Sequence, residues 1–308
     1  MRQNNEQHQA CAACFQGYKL DGEPKGTMQE LGGLAYYFAP GKSTEKAIVL
    51  GTDLFGLGVP NCKIVADWFA ENTGLPVFVP DLLEGDNVRG ATGDYIDPSK
   101  LGLEEFEEPM ATKPFLTRMR IMAGAVWSFG FKIGPRFLAR HSMGHVEPIA
   151  DKFCRDLKEQ KGFKILGFVG YCFGGTLSVL LAKRDSPLDA CVCFHPGGPS
   201  PRAWKNIAKP FMLVCSEGES GPRIARSKDP HTRSLTSVCG FAEDFAFDRD
   251  KATVLPILAA LRVPVEVWDD NKGTTHGFGC RPNMATPEVR EAFERGLRRT
   301  KEWFEVHL

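Results

Sequence analysis

A glycine-rich turn near the middle of the chain constrains the fold more than any other feature. Residues 165–182 read ILGFVGYCFGGTLSVLLA, with a Gly-x-Cys-x-Gly-Gly pattern centred on Cys172. The residues before the turn are apolar β-formers, whereas 176–183 suits a helix. A sharp strand-to-helix turn lifts one side chain above the end of a sheet, and the glycines remove side chains that would clash there. The pattern is that of a nucleophile elbow with cysteine in the place of serine.

The chemistry of such a turn singles out Cys172 among the ten cysteines of the chain. The helix that follows aims its N-terminal N–H groups at the turn and favours negative charge there. Most cysteines in a chain like this are inert core residues. The segment also has 18 uncharged residues, the lower limit for a membrane span, but its glycines and its change from strand to helix favour a globular core.

A late glycine-rich loop supplies the predicted base. Elbows of the α/β-hydrolase type take their partners later in the chain, the acid first and the histidine last. His276 lies in a Gly-Thr-Thr-His-Gly-Phe loop after a predicted strand at 263–268, and it is therefore the predicted general base. Arg281, five residues later, offers a partner for a substrate carboxylate, although a surface arginine is the commoner outcome.

The other histidines have weaker settings. His195 ends a predicted buried strand and is the next candidate for the base. His141 and His145 share a predicted loop with Gly144, and Pro148 follows closely. A His-x-x-x-His pair suits a metal when it lies on a helix, so no metal site is predicted.

The triad acid has two candidates. Glu219 lies just after a predicted strand at 211–215, where an acid of this type belongs. The second candidate is the pair Glu243 and Asp244, with Asp244 25 residues further on, and Glu217 is also available beside Glu219. Either position can supply a buried carboxylate that orients the imidazole. We favour Glu219, because a strand end holds a carboxylate in place more reliably than a long loop does.

With these residues in view, the chain resembles the dienelactone hydrolase (carboxymethylenebutenolidase) family, in particular its eukaryotic branch. The resemblance covers roughly residues 25–307 and is carried by Gly-Thr-Asp-Leu-Phe-Gly-Leu at 51–57, Val-Pro-Asp-Leu-Leu at 79–83, the Cys172 elbow and His-Gly-Phe at 276–278. It implies an α/β-hydrolase fold and a Cys-acid-His triad that hydrolyses activated esters or lactones, without metal or organic cofactor. The chain departs from the family at the triad acid, because the position after the strand at 211–215 is Glu219 and the family has Asp there.

The same resemblance implies the surroundings of the thiol. Asp53 matches an acidic residue that lies beside the nucleophile and helps to govern thiolate formation. The backbone N–H groups of Leu54 and Phe173 would form the oxyanion hole. Phe55, in the same loop as Asp53, is expected to contact the substrate.

Alternation of strand-like and helix-like segments predicts an α/β fold with a mainly parallel, doubly wound sheet and helices on both faces. The predicted strands are 47–53, 76–80, 164–169, 189–194, 211–215 and 263–268, and the predicted helices are 63–72, 146–160, 176–183, 251–261 and 287–304. We expect an N-terminal extension at 1–24 and a single domain at 25–308, with a cap-like insertion at about 85–145. Ligands bind such sheets at the carboxyl ends of the strands, where Asp53, Cys172, Glu219 and His276 would gather.

Composition narrows the function classes. The chain has 38 basic and 38 acidic residues and a net charge of zero, with no basic stripe for nucleic acid. The first nine residues are polar and lack a signal peptide, and ten cysteines without such a signal favour a reducing, cytoplasmic location. The expected partner is a small ester or lactone, with neither nucleic acid nor membrane, and no oligomeric state is predicted.

The alternative function is a non-catalytic ligand-binding or redox-sensing protein on the same fold. The unusual acid and the large insertion motivate it. The presence of both Cys172 and His276 argues against a site that has lost its catalytic activity. A redox-sensing role is disfavoured because no resolving cysteine lies near Cys172 in the sequence.

Overall fold

The computed structural model describes residues 18–85, 140–217 and 253–308 of the chain. Most of the N-terminal extension and of the predicted cap lies outside these residues, as do Glu219 and Asp244. The strands are β1 (Thr27–Leu31), β2 (Leu34–Ala39), β3 (Lys46–Gly51), β4 (Val77–Pro80), β5 (Ile165–Tyr171), β6 (Ala190–Phe194), β7 (Phe211–Val214) and β8 (Val265–Trp268). The helices are α1 (Asn61–Thr73), α2 (Met143–Lys161), α3 (Phe173–Leu181), α4 (Pro201–Lys205) and α5 (Pro287–His307). A 3-10 turn lies at Gly56–Gly58, and residues 253–259 are helical.

The described strands form one sheet in the order β1-β2-β4-β3-β5-β6-β7-β8. The β1-β2 and β2-β4 pairs are antiparallel, and every pair from β4-β3 to β7-β8 is parallel. Chain order reverses around β3 and β5, with β4 on one side and β6 on the other. Such a switch point opens a crevice at the carboxyl ends of the strands.

The central strands are buried on both faces, as their continuous apolar runs require. On one face, α2, α3 and α4 pack over the sheet through a core that includes Phe153, Leu177 and Trp204. On the other face, α1 and α5 pack through a second core that includes Phe69 and Phe293. The α/β-hydrolase architecture predicted from the sequence is confirmed.

Two local features of the structure differ from what the sequence predicts. The antiparallel hairpin of β1 and β2 was not predicted, because β1 is short and mostly exposed and its polar sequence lacks a core signal. The predicted loop with both His141 and His145 is also wrong. Helix α2 begins at Met143, since the carbonyl of Ser142 accepts the N–H groups of His145 and Val146. His145 therefore lies in the first turn of α2.

Within the part of the chain that the structure describes, no helix is both long enough and apolar enough to cross a membrane.

Candidate active site

The elbow at Cys172 is a strained turn directly after β5. Cys172 caps α3 with φ 54° and ψ −105°, a backbone conformation that L-residues other than glycine rarely adopt. Its N–H donates to the carbonyl of Phe194 at 3.1 Å, which ties the turn to the end of β6. Strain of this kind persists only where the surroundings over-determine it, and it is concentrated at functional sites.

The glycines of the elbow allow its backbone to lie directly against β3. A Cβ atom at Gly170 would lie 1.9 Å from the carbonyl oxygen of Gly174, and one at Gly174 would lie 2.2 Å from that of Gly51. The N–H of Gly174 donates to the carbonyl of Thr52 at 2.8 Å. The chain segment after β3 is therefore joined to the elbow through main-chain contact.

This contact joins the segment of Leu54 to the turn of Phe173, the two residues predicted to supply the oxyanion donors. Phe173 directly follows Cys172 as the first residue of α3. Leu54 lies two residues after Thr52 and is buried. Asp53, between Thr52 and Leu54, is 2% exposed, and its Oδ1 accepts the N–H of Phe55 at 2.9 Å.

Arg281 is buried beside Asp53, so the expectation of a surface arginine was wrong. Its side chain is 4% exposed, and its Nε donates to Asp53 Oδ2 at 2.5 Å. The guanidinium carbon lies 4.3 Å from the centroid of the Phe55 ring. The sequence does not reveal this burial, because the partner carboxylate lies 228 residues away along the chain.

Charges around Arg281 connect it to the elbow. Burial acts to lower the pKa of Arg281, but the neighbouring Asp53, Cys280 and Cys172 raise it, and the net shift is upward. Arg281 therefore remains a cation, and the effect of Cys172 on its pKa places that positive charge within electrostatic reach of the thiol.

Breaking this ion pair should destabilise the fold strongly. Arg281→Ala leaves the buried Asp53 carboxylate without its cation, for which we expect a loss of about 3–5 kcal/mol in the free energy of unfolding. Urea denaturation followed by circular dichroism measures it. Lys301→Ala, which breaks an exposed pair with Glu305, is the control and should change little. Equal effects of the two substitutions would contradict a structural role for the buried pair.

His276 lies in the turn after β8 and is 4% exposed. Its ring centroid is 4.8 Å from that of His195. His195 follows Phe194, whose carbonyl binds the N–H of Cys172, and it has a positive φ of 34°. The predicted base and nucleophile thus lie at the same edge of the sheet, on either side of the end of β6.

The loop that carries His276 is fastened to the end of β7. Glu217 Oε2 accepts the N–H of Gly273 at 2.5 Å, and the N–H of Glu217 donates to Thr274 Oγ1 at 3.1 Å. Asn271 Nδ2 donates to the carbonyl of Cys215 at 2.7 Å. The carboxylate of Glu217 thus binds the backbone of the histidine loop. Glu219 and Asp244, the two favoured acids, lie outside the described residues.

Cys280 is a neighbour of Asp53 that the sequence did not predict. Its thiol donates to Asp53 Oδ2 at 3.3 Å, across 227 positions of the chain. No local pattern marks this residue, since Cys280 reads as one more apolar position after the His276 turn.

Among residues 18–85, 140–217 and 253–308, no group of three or more His, Cys, Asp or Glu side chains is arranged to hold a metal ion.

Comparisons with known proteins agree with this architecture. Residues 34–308 match the model of the dienelactone hydrolase family. The chain is 28% identical to Hydrolase tropI of Talaromyces stipitatus, over 97% of this chain and 96% of that protein. It is 23% identical to a carboxymethylenebutenolidase homolog of Xenopus tropicalis, over 98% and 99% of the two chains.

A solved structure shares the fold. It is that of a putative dienelactone hydrolase from Klebsiella pneumoniae, with a TM-score of 0.53 and 13% identity over 91% of this chain and 97% of that one.

Proposed function

Because the chain belongs to the dienelactone hydrolase family and is a hydrolase of carboxylic esters or lactones, we propose that it acts through covalent catalysis by Cys172. The observation that carries the proposal is the elbow itself, which holds Cys172 at φ 54° at the edge of the sheet where His276 also lies. The test is hydrolysis of an activated aryl ester or enol lactone. This activity should be lost in Cys172→Ala.

In the acylation step, His276 takes the proton of the Cys172 thiol, and the sulfur attacks the substrate carbonyl carbon. The backbone N–H groups of Leu54 and Phe173 hold the resulting oxyanion, and a donor of this kind is typically worth about 3 kcal/mol. The tetrahedral intermediate collapses to a thioester on Cys172 as the carbon–oxygen bond breaks. His276 passes its proton to the leaving alkoxide.

In the deacylation step, His276 removes a proton from water, which attacks the thioester carbonyl. The acid product leaves, and the sulfur of Cys172 regains a proton from His276. A thiol nucleophile suits substrates with good leaving groups, such as enol lactones and aryl esters.

The buried charges beside the elbow set the electrostatics of the first step. The positive charge of Arg281 favours negative charge on the sulfur of Cys172, while the Asp53 carboxylate offsets part of that field. The contribution of Cys172 to the raised pKa of Arg281 supports this assignment. Arg281 and Phe55, which stack on each other, are also the proposed contacts for the substrate.

The acid that orients His276 is proposed to be Glu219, with Asp244 as the alternative. Glu219→Gln should keep the fold and lower kcat by about a hundredfold or more, because an amide cannot stabilise the imidazolium. Asp244→Asn is the matched control and should have a much smaller effect. Steady-state kinetics on an aryl ester measure both variants. The reverse order would assign the acid to Asp244, and no effect of either would assign it elsewhere.

A reducing, cytoplasmic location is part of the proposal. The seven cysteines in the described segments are buried and form no disulfide there, which supports a compartment where thiols persist.

A further inference from the structure

The Asp53 carboxylate receives three hydrogen bonds in a buried setting. Its Oδ1 accepts the N–H of Phe55 at 2.9 Å. Its Oδ2 accepts both the Nε–H of Arg281 at 2.5 Å and the thiol of Cys280 at 3.3 Å. Asp53, Arg281 and Cys280 are 2%, 5% and 0% exposed. One carboxylate oxygen is thus shared between a cation and a neutral thiol.

Cys280 is a thiol that keeps its proton. Burial raises its pKa well above the ordinary value, and Cys62 and the Asp53 carboxylate raise it further, against a lowering by Arg281. A second acceptor, the uncharged carbonyl oxygen of Gly277, lies 3.8 Å from the Cys280 sulfur. Bonds to an ionised acceptor are the stronger ones, so the S–H group donates to Asp53.

The position of Cys280 is built by a different part of the chain. Asn61, the first residue of α1, donates from Nδ2 to the carbonyl of Cys280 at 2.9 Å. Cys62, the next residue of α1, lies close enough to the Cys280 thiol to raise its pKa. The start of α1 therefore holds the backbone of Cys280 in place beside Asp53 through Asn61.

We propose that Cys280 is a positioning residue for catalysis, whose S–H bond to Asp53 draws carboxylate charge away from Arg281 and so strengthens the positive field at Cys172. The inference rests on the proposed role of Cys172 as nucleophile. A thiol dipole with its hydrogen on Asp53 reduces the negative potential of that carboxylate toward its surroundings. The positive charge of Arg281 is then less fully offset when the sulfur of Cys172 becomes negative.

The groups that face Cys280 are few within the described segments. Asp53 comes from the loop after β3, Cys62 from α1, Tyr171 from β5 and Arg281 from the same loop as Cys280 itself. Burial, followed by the nearby Cys280 and Cys62, raises the pKa of Tyr171 well above its ordinary value. The phenol and the Cys280 thiol are therefore neutral, and the charges that face one another there are those of Asp53 and Arg281.

The test is the pH dependence of kcat/KM for 4-nitrophenyl acetate, a substrate without a titrating group. The acid limb of this profile reports ionisations of the free enzyme. Cys280→Ala removes the donor and leaves Asp53 more negative, which disfavours the thiolate. The acid limb should move to higher pH by about half a unit or more, and kcat/KM on that limb should fall about threefold or more.

Two further variants separate the hydrogen bond from packing. Cys280→Ser keeps a donor and should restore the position of the acid limb. Cys62→Ala removes the neighbouring thiol, which has no hydrogen bond to Asp53, and should leave the acid limb in place. Should Cys280→Ala fail to fold, Cys280→Val removes the donor while filling the volume, and it should show the same displacement.

Three results would overturn the inference. They are an acid limb that does not move in Cys280→Ala or Cys280→Val, equal displacements in the serine and alanine variants, and a Cys62→Ala profile that matches that of Cys280→Ala. Cys172→Ala is measured in the same series. If it retains wild-type turnover, the proposed nucleophile is wrong; if it is inactive while Cys280→Ala is unchanged, only the role of Cys280 is wrong.

Discussion

Replacing Cys172 with alanine should abolish hydrolysis of activated esters and lactones, with a loss of at least about a thousandfold in kcat. The elbow presents the thiol of Cys172, and the proposed oxyanion donors stabilise the intermediate that forms when this thiol attacks the carbonyl. Steady-state turnover of an aryl ester measures the loss. With a slow substrate, intact-mass and peptide spectrometry of the wild type should also detect an acyl group on the peptide that contains Cys172.

Cys154→Ala provides the matched control. Cys154 is a fully buried thiol on α2, and burial raises its pKa well above the ordinary value, so it is inert as a nucleophile. Its removal should leave kcat unchanged. Cys172→Ser should recover little activity, since a hydroxyl depends on its base far more than a thiol does. Unchanged turnover in Cys172→Ala would rule out the proposed mechanism and favour the non-catalytic alternative.

His276→Ala should lower kcat by about two orders of magnitude or more while the fold is preserved. His276 is assigned both proton transfers, from the thiol to the leaving group and from water in deacylation. The loop around it is held independently by Glu217, Asn271 and Thr274, so the loss should appear in kcat and not in thermal stability. Stopped-flow kinetics and a thermal melt measure the two quantities.

A distant histidine serves as the control for this variant. His307 lies at the end of α5, where its ring packs 4.0 Å from that of Trp303, and His307→Ala should leave turnover intact. A loss of less than tenfold in His276→Ala would move the role of the base to His195, whose ring touches that of His276. His195→Phe, which keeps the aromatic packing, would then show the larger loss.

Local patterns in the sequence were sufficient to predict the main architecture. The six strands from β3 to β8 lie where apolar β-forming runs were found, within two residues at each end. The Gly-x-Cys-x-Gly-Gly turn predicted a strand before it and a helix after it. In the structure its glycines allow the backbones of Gly51 and Gly174 to approach closely. Parallel strands end at one edge, so the sequence also placed Cys172 and His276 at the same side of the sheet.

The edges of the fold were harder to predict. Strand β1 carries no apolar alternation, because most of it faces solvent, and only its pairing with β2 makes it a strand. Helix α2 begins at Met143 despite the low helix propensity of Gly144, because Met143 and Val146 in its first turn pack into the core. Tertiary packing outweighs helix propensity here, since propensity is only a weak prior.

The sequence by itself determined the strands from β3 to β8, the elbow and the histidine loop, since each arises from a local pattern of residues. Only the tertiary structure decided the electrostatics of the site. Arg281 reads as a surface residue and Cys280 as a core residue, yet both meet Asp53 across more than 220 positions of chain. Burial and charge pairing depend on which distant segments pack together, and a one-dimensional pattern does not contain that information.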